Sequence, residues 1–543
     1  MSAALTRQRL LKLGILLLAA AGFALLAWPR TRPERRGVGT QALKLFPPRV
    51  SVASRVFSRP FQVELSTPAS GEIRYTLDGS EPSKASSLYT RPIEIGATVK
   101  LSARVIAGTT AGPLALRCYV LADEAVAQFR SNLPVILIET FGRGVKRYRR
   151  HDGSTQYVSV MFHVVEPGAD GVTRVDAPAA YSGPAAIRAR GSSTLGREKT
   201  SLAVELQDNA GESVEASLLG LPAESDWVLL GPLEFDRALV RNSLVYQLAR
   251  DTGWYAPRTR FVELFLNEDP GPIQGPVPRG NDYYGVYLLI EKIKRGPDRV
   301  AVESMNPSKK PRPITGGYIL KIDRPGPGDS GFFSGGHEFQ FVYPKESKIT
   351  SDQSAWIQSY LDEFHTALSS THLDDPNGGY SKYLDVESAI DYHVINEFTK
   401  NPDSYVYSTY FHKTRDGKLV LGPVWDFDRT MGCDNDRRAH NPFGWSRNSF
   451  QFWYRKLFRD PAFRERYRKR WEELRRGPLL EAHIEALVDE MARTIGPAAE
   501  RNTARWKYDT GLEPGGWSRE IEELKLWIQS RLEWYDGEVA SLR

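Results

Sequence analysis

Two kinds of hydrophobic pattern divide the chain. Over residues 45–124, short runs of alternating apolar and polar positions are broken by Gly, Pro and Ser turns, which predicts a small Ig-like β-sandwich. Residues 261–266 and 284–291 are instead continuous apolar, β-rich runs, suited to central strands. Between the module and these strands, residues 235–252 place Leu239, Leu244, Val245 and Leu248 on one side and predict a helix. Residues 386–398 do the same with Ala389, Ile390, His393, Val394 and Phe398, and that helix stops at Lys400-Asn401-Pro402 because Pro402 disfavours helical geometry before it. Tyr405, Tyr407 and Thr409 then alternate, Asp416-Gly417 turns the chain, and Leu419-Val420-Leu421 completes a predicted β-hairpin. Beyond Gly432, spacing of three and four over 451–475, 479–495 and 518–540 predicts helices that build a large helical lobe. Residues 325–336 and 374–380, rich in Gly and polar residues, read as insertions. The fold class is α+β.

The amino-terminal pattern is different again. Residues 15–28 are uniformly apolar, the length of a signal-peptide core and short of the roughly twenty residues that span a bilayer. Arg7, Arg9 and Lys12 precede this core and Arg30, Arg32, Arg35 and Arg36 come after it, and cations beyond the core hinder translocation. Residues 1–29 are therefore expected to be a signal peptide or, by a small margin, an uncleaved membrane anchor, and 30–44 a basic linker. The rest is expected to be exported.

Charge and cysteine narrow the function classes. The 543 residues carry a net charge of +6, which taken alone points to nucleic acid. Residues 1–36 hold seven basic residues against Glu34 alone, a surplus of six, so the remainder is formally neutral and no nucleic-acid partner is expected. The two cysteines, Cys118 and Cys433, form no C-x-x-C and no zinc spacing, and buried thiols are the default. The chain contains no H-E-x-x-H and no G-x-S-x-G, which removes the commonest metalloprotease and serine-hydrolase readings.

Candidate chemistry sits around the hairpin at 405–421. Asp403 comes after the helix on a loop, Ser408 lies five positions on, and the hairpin delivers Trp425-Asp426-Phe427-Asp428. Protein kinases space a catalytic-loop Asp, a metal-binding residue and a second, magnesium-holding Asp in this order. Phosphoryl transfer needs a carboxylate for the acceptor hydroxyl and hard oxygen ligands for the cation, and Asp403, Asp426 and Asp428 are of that type. The spacing is equally that of an ordinary hairpin with solvated acids. Upstream, residues 190–206, RGSSTLGREKTSLAVEL, read as a small-residue turn between two strands. Gly191 with Ser192 and Ser193 would let backbone N–H groups approach phosphates, and Arg190 and Lys199 would supply cations. The alternative is a polar β-turn with a surface lysine. A carboxylate partner for Lys199 is expected at Asp236, Glu263 or Glu291, which the sequence does not separate.

Several ordered landmarks are shared with a known family. Arg190-Gly191-Ser192-Ser193-Thr194 with Lys199 is succeeded by Ser225-Asp226-Trp227-Val228-Leu229 and Arg241-Asn242. Tyr284-Gly285-Val286-Tyr287 then leads to Glu291, before Gly316-Gly317-Tyr318 and Trp425-Asp426-Phe427-Asp428 with Gly432. In this order they resemble the CotH kinase family, the spore coat protein H-like atypical kinases, over residues 135–480. The resemblance implies a divergent bilobal kinase-like domain over 130–543 that uses ATP with Mg2+ or Mn2+ to phosphorylate Ser or Thr of secreted or surface proteins. It implies that Asp403 is the catalytic-loop Asp and that Asp426, assisted by Asp428 and Ser408, holds metal. Arg190, Ser192, Ser193 and Lys199 become nucleotide contacts by the same resemblance, while Glu291 reads equally as a nucleotide contact or as a structural ion-pair partner of Arg241 or Lys292. Ser408 departs from the family's usual Asn, and a hydroxyl is a poorer metal ligand than an amide carbonyl. Residues 75–82, with Leu88-Tyr89-Thr90 and Pro92-Ile93, resemble the chitobiase/β-hexosaminidase carboxy-terminal module, whose expected role is a rigid spacer. Two rival readings stay open: a catalytically inactive kinase-like scaffold of an envelope or spore coat, which Ser408 favours, and a carbohydrate-active surface protein.

Overall fold

The structure is a computed structural model describing residues 45–542, apart from 277–281, 307, 310–312, 372, 374, 376, 434 and 435. The expected signal or anchor at 1–29 and linker at 30–44 lie outside the described residues, as does part of the insertion at 374–380. Among the described residues, no helix is long and apolar enough to cross a membrane.

The protein is mixed α+β with an amino-terminal β-rich module. One sheet of the module runs Arg55–Phe57, Ala115–Leu121, Val99–Ala107, Glu72–Thr76 and Ser87–Leu88, and Phe61–Val63 pairs with Ile93–Ile95 beside it. Alternate residues Leu101, Ala103 and Val105 are buried, which is the two-residue period that the pattern predicts. Val56, Cys118, Val120 and Ala122 pack in one cluster with Val135, Leu137, Met161 and Phe265, so the module shares a core with strands of the next unit.

The next seven strands close a barrel in the order Val135–Glu139, Val158–Val165, Tyr181–Arg190, Ser201–Leu206, Asp226–Leu230, Tyr283–Glu291 and Thr259–Asn267. Neighbours are antiparallel, except that Val135–Glu139 and Thr259–Asn267 close the ring in parallel. Barrel closure explains the continuous apolar runs. Tyr287 and Leu289 point to the interior with Trp227 and Leu264, while Val286, Leu288 and Ile290 pack outward on the helix Arg241–Asp251. Each such buried side chain contributes roughly 1.5–3 kcal/mol.

After the barrel comes a five-stranded sheet, ordered Gly331–Ser334, His337–Tyr343, Tyr318–Ile322, Thr409–Lys413 and Leu419–Leu421, against which the helices Ser351–Ala367 and Val386–Phe398 pack. Pro461–Arg475 and Gly516–Ser541 lie on Val386–Phe398, and Glu481–Thr510 lies on the barrel strand Tyr283–Glu291. Val386–Phe398 is buried along nearly its whole length. Fully buried Arg531 fixes the chain beyond it, donating to the carbonyls of Glu397, Pro442 and Gly444.

Three predicted helices differ in extent. The one expected at 235–252 begins at Arg241, because Leu239 has a left-handed φ of 68° and Asp236 accepts from the Arg241 backbone N–H at 3.0 Å. That at 451–475 is split by Asp460-Pro461, where the Asp460 carboxylate caps the Ala462 N–H at 2.8 Å and Pro461 opens the new helix. That at 479–495 continues through Pro497 and, across a kink at Trp506 (φ −112°), to Thr510, since Ala498, Ala499, Asn502 and Trp506 are buried and tertiary packing outweighs the proline.

Candidate active site

The loop after Val386–Phe398 is built to hold one carboxylate. Lys400 turns the chain with φ 53°, and the Asn401 side chain bonds Asn396 Oδ1 at 3.0 Å while accepting from the Asp403 N–H at 3.0 Å. Asp403 Oδ1 then accepts from Arg438 Nη1 at 3.0 Å, and Asp436 holds that guanidinium through Nε at 2.8 Å and Nη2 at 2.5 Å. Asp403 is thus aimed and charge-compensated without being sealed from solvent, its side chain remaining 27% exposed.

The hairpin, observed as Thr409–Lys413 and Leu419–Leu421, delivers the second acidic pair. Buried Phe427 anchors it, its N–H donating to Asn242 Oδ1 at 2.9 Å. Trp425 stacks on Tyr246 with centroids 5.9 Å apart, and the Asp426 N–H donates to the Tyr246 hydroxyl at 3.2 Å. Asn242 and Tyr246 both belong to Arg241–Asp251, so one helix positions the whole segment. Asp426 sits at φ 70° and Ser408 at φ 51°, left-handed conformations that cost about 1–3 kcal/mol each outside glycine and persist only where neighbours impose them. Ser408 Oγ reaches Asp426 Oδ2 at 3.4 Å.

The 190–200 loop faces these acids. Gly191 has φ 116°, and a Cβ there would meet Thr194 Oγ1 at 2.6 Å, so glycine is required for the fold of the turn. Arg429 bridges the two sides by donating to Ser193 Oγ at 2.9 Å, and the Arg190 guanidinium lies 5.3 Å from the Trp425 ring centre. Arg190, Ser192, Ser193, Asp403, Asp426 and Asp428 line one open cleft. Ser408 lies in the chamber adjoining it.

Asp426 and Asp428 hold their protons more tightly than ordinary carboxylates do. Asp426 opens into the cleft on one side and is hemmed in by protein on the others. Burial pushes its pKa up, with Asp403 and Asp323 adding to the rise and Arg190 opposing it. Asp428 is pushed well above the usual carboxylate range, first by burial and then by the neighbouring Asp426 charge. A divalent cation would reverse both effects. Among the described residues, no three His, Cys, Asp or Glu side chains are gathered as a ready cage. Magnesium suits such a site, because it takes one or two carboxylates and completes its shell with water and substrate phosphates. The Asn242 Nδ2, buried behind the cleft wall, has no hydrogen-bond acceptor among the described residues. The donor set therefore fits a nucleotide with a hard cation.

These raised pKa values set the sign of the pH dependence. The ligand-free fold loses stability as pH rises from the ordinary carboxylate value of about 4 through the raised folded-state values. Metal binding needs the ionised acids, so the thermal shift given by Mg2+ with ATP is expected to weaken on acidification while the pH is still well above about 4. A shift of constant size down to that pH would contradict the assignment.

Two expected nucleotide contacts lie elsewhere. Lys199 is buried outside the cleft, its ammonium 2.6 Å from Asn502 Oδ1 on the helix Glu481–Thr510 and flanked by the rings of Tyr287 and Trp506. Burial drives its pKa well down, Asp236 opposing. All three candidate partners are engaged by arginines: Asp236 by Arg241 at 2.9 Å, Glu263 by Arg501 at 2.6 Å and Glu291 by Arg258 at 2.6 Å. Glu291 is fully buried in that pair and does not line the cleft. The helix at 496–510 covers Lys199, and Pro497 hid that helix from the apolar pattern.

Residues 187–535 match the family described as CotH kinase protein, which is more than half of the chain. The chain belongs to the CotH kinase family. It is a kinase-type protein, with residues 52–113 matching the chitobiase/β-hexosaminidase C-terminal domain. A search of curated proteins gives no significant match. Asp403, Asp426, Asp428 and the Ser-rich loop all fall within the CotH kinase stretch. Arg438, Arg429, Asn242 and Tyr246 had no role assigned from sequence. Arg241-Asn242 stood among the landmarks, but what Asn242 holds is a backbone N–H, which carries no sequence signal.

Proposed function

We propose that this CotH kinase transfers the γ-phosphate of ATP to Ser or Thr of secreted or surface proteins, with the barrel and the helical body acting as two kinase-like lobes. What supports this most is the meeting of Asp403, Asp426 and Asp428 with the Ser-rich loop in a single cleft. ATP would supply the phosphoryl group, and a bound Mg2+ or Mn2+ would neutralise its charge. Asp426 and Asp428 would hold the cation, while Arg190 and the backbone of Ser192 and Ser193 would hold phosphate oxygens. Asp403 orients the acceptor hydroxyl and takes its proton as the new O–P bond forms and the bond to the β-phosphate oxygen breaks. Incubation with labelled ATP and Mg2+ or Mn2+ tests the proposal through label transferred to protein Ser or Thr.

Ser408 favours a second reading, an inactive scaffold. An Asn there would suit the left-handed φ of 51° and provide an amide carbonyl as metal ligand. For an active kinase, Ser408→Asn is expected to keep activity or raise it, by up to about tenfold, or about 1.4 kcal/mol. A tenfold loss of turnover in that variant would remove Ser408 from the metal site.

Export belongs to the same proposal, on the apolar segment at 15–28 with basic flanks. Cell fractionation is expected to place the full chain in membranes, with its body cleaved by protease added outside. Intact, protected protein in the cytosol would refute export.

A further inference from the structure

A second chamber adjoins the nucleotide cleft and shares Arg190, Arg324, Asp403, Tyr407 and Asp426 with it. Its outer wall is cationic. Arg149, Arg150, Arg188 and Arg324 line it together with Tyr157 and Tyr407, and Arg324 also borders the nucleotide cleft. None of the four guanidiniums forms an ion pair among the described residues. Arg149 donates to the Gly153 and Gly191 carbonyls at 3.0 and 3.2 Å, and Arg188 to the Thr155 hydroxyl at 2.9 Å. Arg188 and Arg324 also lie over the Tyr157 and Tyr407 rings, at 5.3 and 4.0 Å.

The acids of the chamber do not cancel this charge. Asp329 is paired with Lys321 at 2.8 Å, Asp403 with Arg438 at 3.0 Å, and Arg190 offsets Asp426. Asp323 alone is left to face four arginines, and it accepts from the Arg324 backbone N–H at 2.8 Å. Guanidiniums such as Arg188 and Arg324, steadied over tyrosine rings, are suited to bind carboxylates.

Building on the proposed phosphotransfer at Asp403, we propose that this chamber is the acceptor site and that it selects Ser or Thr segments flanked by acidic side chains. The occupant would bring its hydroxyl to Asp403 while its Asp or Glu residues meet the arginine wall. An acidic segment gains here twice, by contact and by steering, and a basic one is repelled.

Fluorescent peptides of equal length, each with one Ser flanked by Glu, Gln or Lys, test this by anisotropy in the absence of ATP. The full chain is expected to bind the Glu peptide at least about tenfold tighter than the Gln peptide at low salt, with the advantage shrinking as salt rises, and to bind the Lys peptide least. Arg150→Glu/Arg324→Glu is expected to abolish or invert the order, and Arg150→Lys/Arg324→Lys to keep most of it. Arg150→Glu alone, on an exposed loop, gives a partial loss and serves if the double variant does not fold. Equal or tighter binding of the Lys peptide by the wild type, or an undiminished Glu preference in the charge-reversed protein, would overturn the proposal. Labelled ATP added to the same samples separates the two claims. Phosphorylation without Glu preference leaves the kinase and removes the acidic acceptor, whereas Glu-selective binding with no label leaves the anion site and removes the kinase.

Discussion

Asp426→Asn is expected to abolish the metal-dependent thermal shift given by ATP and to lower phosphotransfer by about 10²- to 10⁴-fold, the several kcal/mol that a bound cation contributes to transition-state charge. The substitution removes one negative charge from the cleft and leaves the shape of the side chain. It also removes the repulsion that raises the Asp428 pKa, after burial the largest cause of that rise. The ligand-free variant is therefore expected to melt no lower than the wild type at neutral pH. Loss of function without loss of stability distinguishes a metal ligand from a structural acid. The backbone contacts of this segment, from Asp426 to Tyr246 and from Phe427 to Asn242, do not involve the carboxylate and persist in the variant. Differential scanning fluorimetry with ATP and Mg2+ checks the point, and an unchanged shift would move the metal elsewhere.

At Asp403 the expected result is the reverse in binding and similar in rate. Asp403→Asn keeps most of the ATP affinity and loses about 10²- to 10⁴-fold in turnover, because the carboxylate acts on the acceptor proton and not on the phosphates. The amide still fills the site beside Arg438, and Asp436 retains that guanidinium through two hydrogen bonds. The local fold is thereby preserved. Paired measurements of ATP-induced thermal shift and initial rate read the split directly, and a parallel fall in both would make Asp403 a binding residue.

Which parts of this site were legible in the chain depends on the distance over which each is determined. The acids at 403, 426 and 428 are set by a helix stop, a hairpin turn and local spacing, all of which leave composition cues within about fifty residues. The Ser-rich turn at 190–200 is local in the same way. Lys199 failed because its environment is made by Asn502 and Trp506, some three hundred residues away, on a helix whose continuation past Pro497 depends on burial against the barrel. Glu291 failed for a related reason: an acid at a strand end reads identically whether it faces a ligand or a buried arginine, and Arg258 decides. The continuous runs at 261–266 and 284–291 announced strands covered on both faces, but a run of that kind does not tell a closed seven-stranded barrel from an open sheet. Arg438 stayed hidden because its charge serves Asp403 only once the segment beyond Cys433 folds back.

The central claim, that the cleft transfers phosphate, is tested most directly by incubating wild-type protein and Asp403→Asn with γ-labelled ATP, Mg2+ or Mn2+, and a Ser-containing peptide, then locating the label. The account predicts metal-dependent label on Ser or Thr in the wild type, reduced at least about 10²-fold in the variant. Equal labelling of the two proteins, or none in a wild type that still binds ATP, would contradict it.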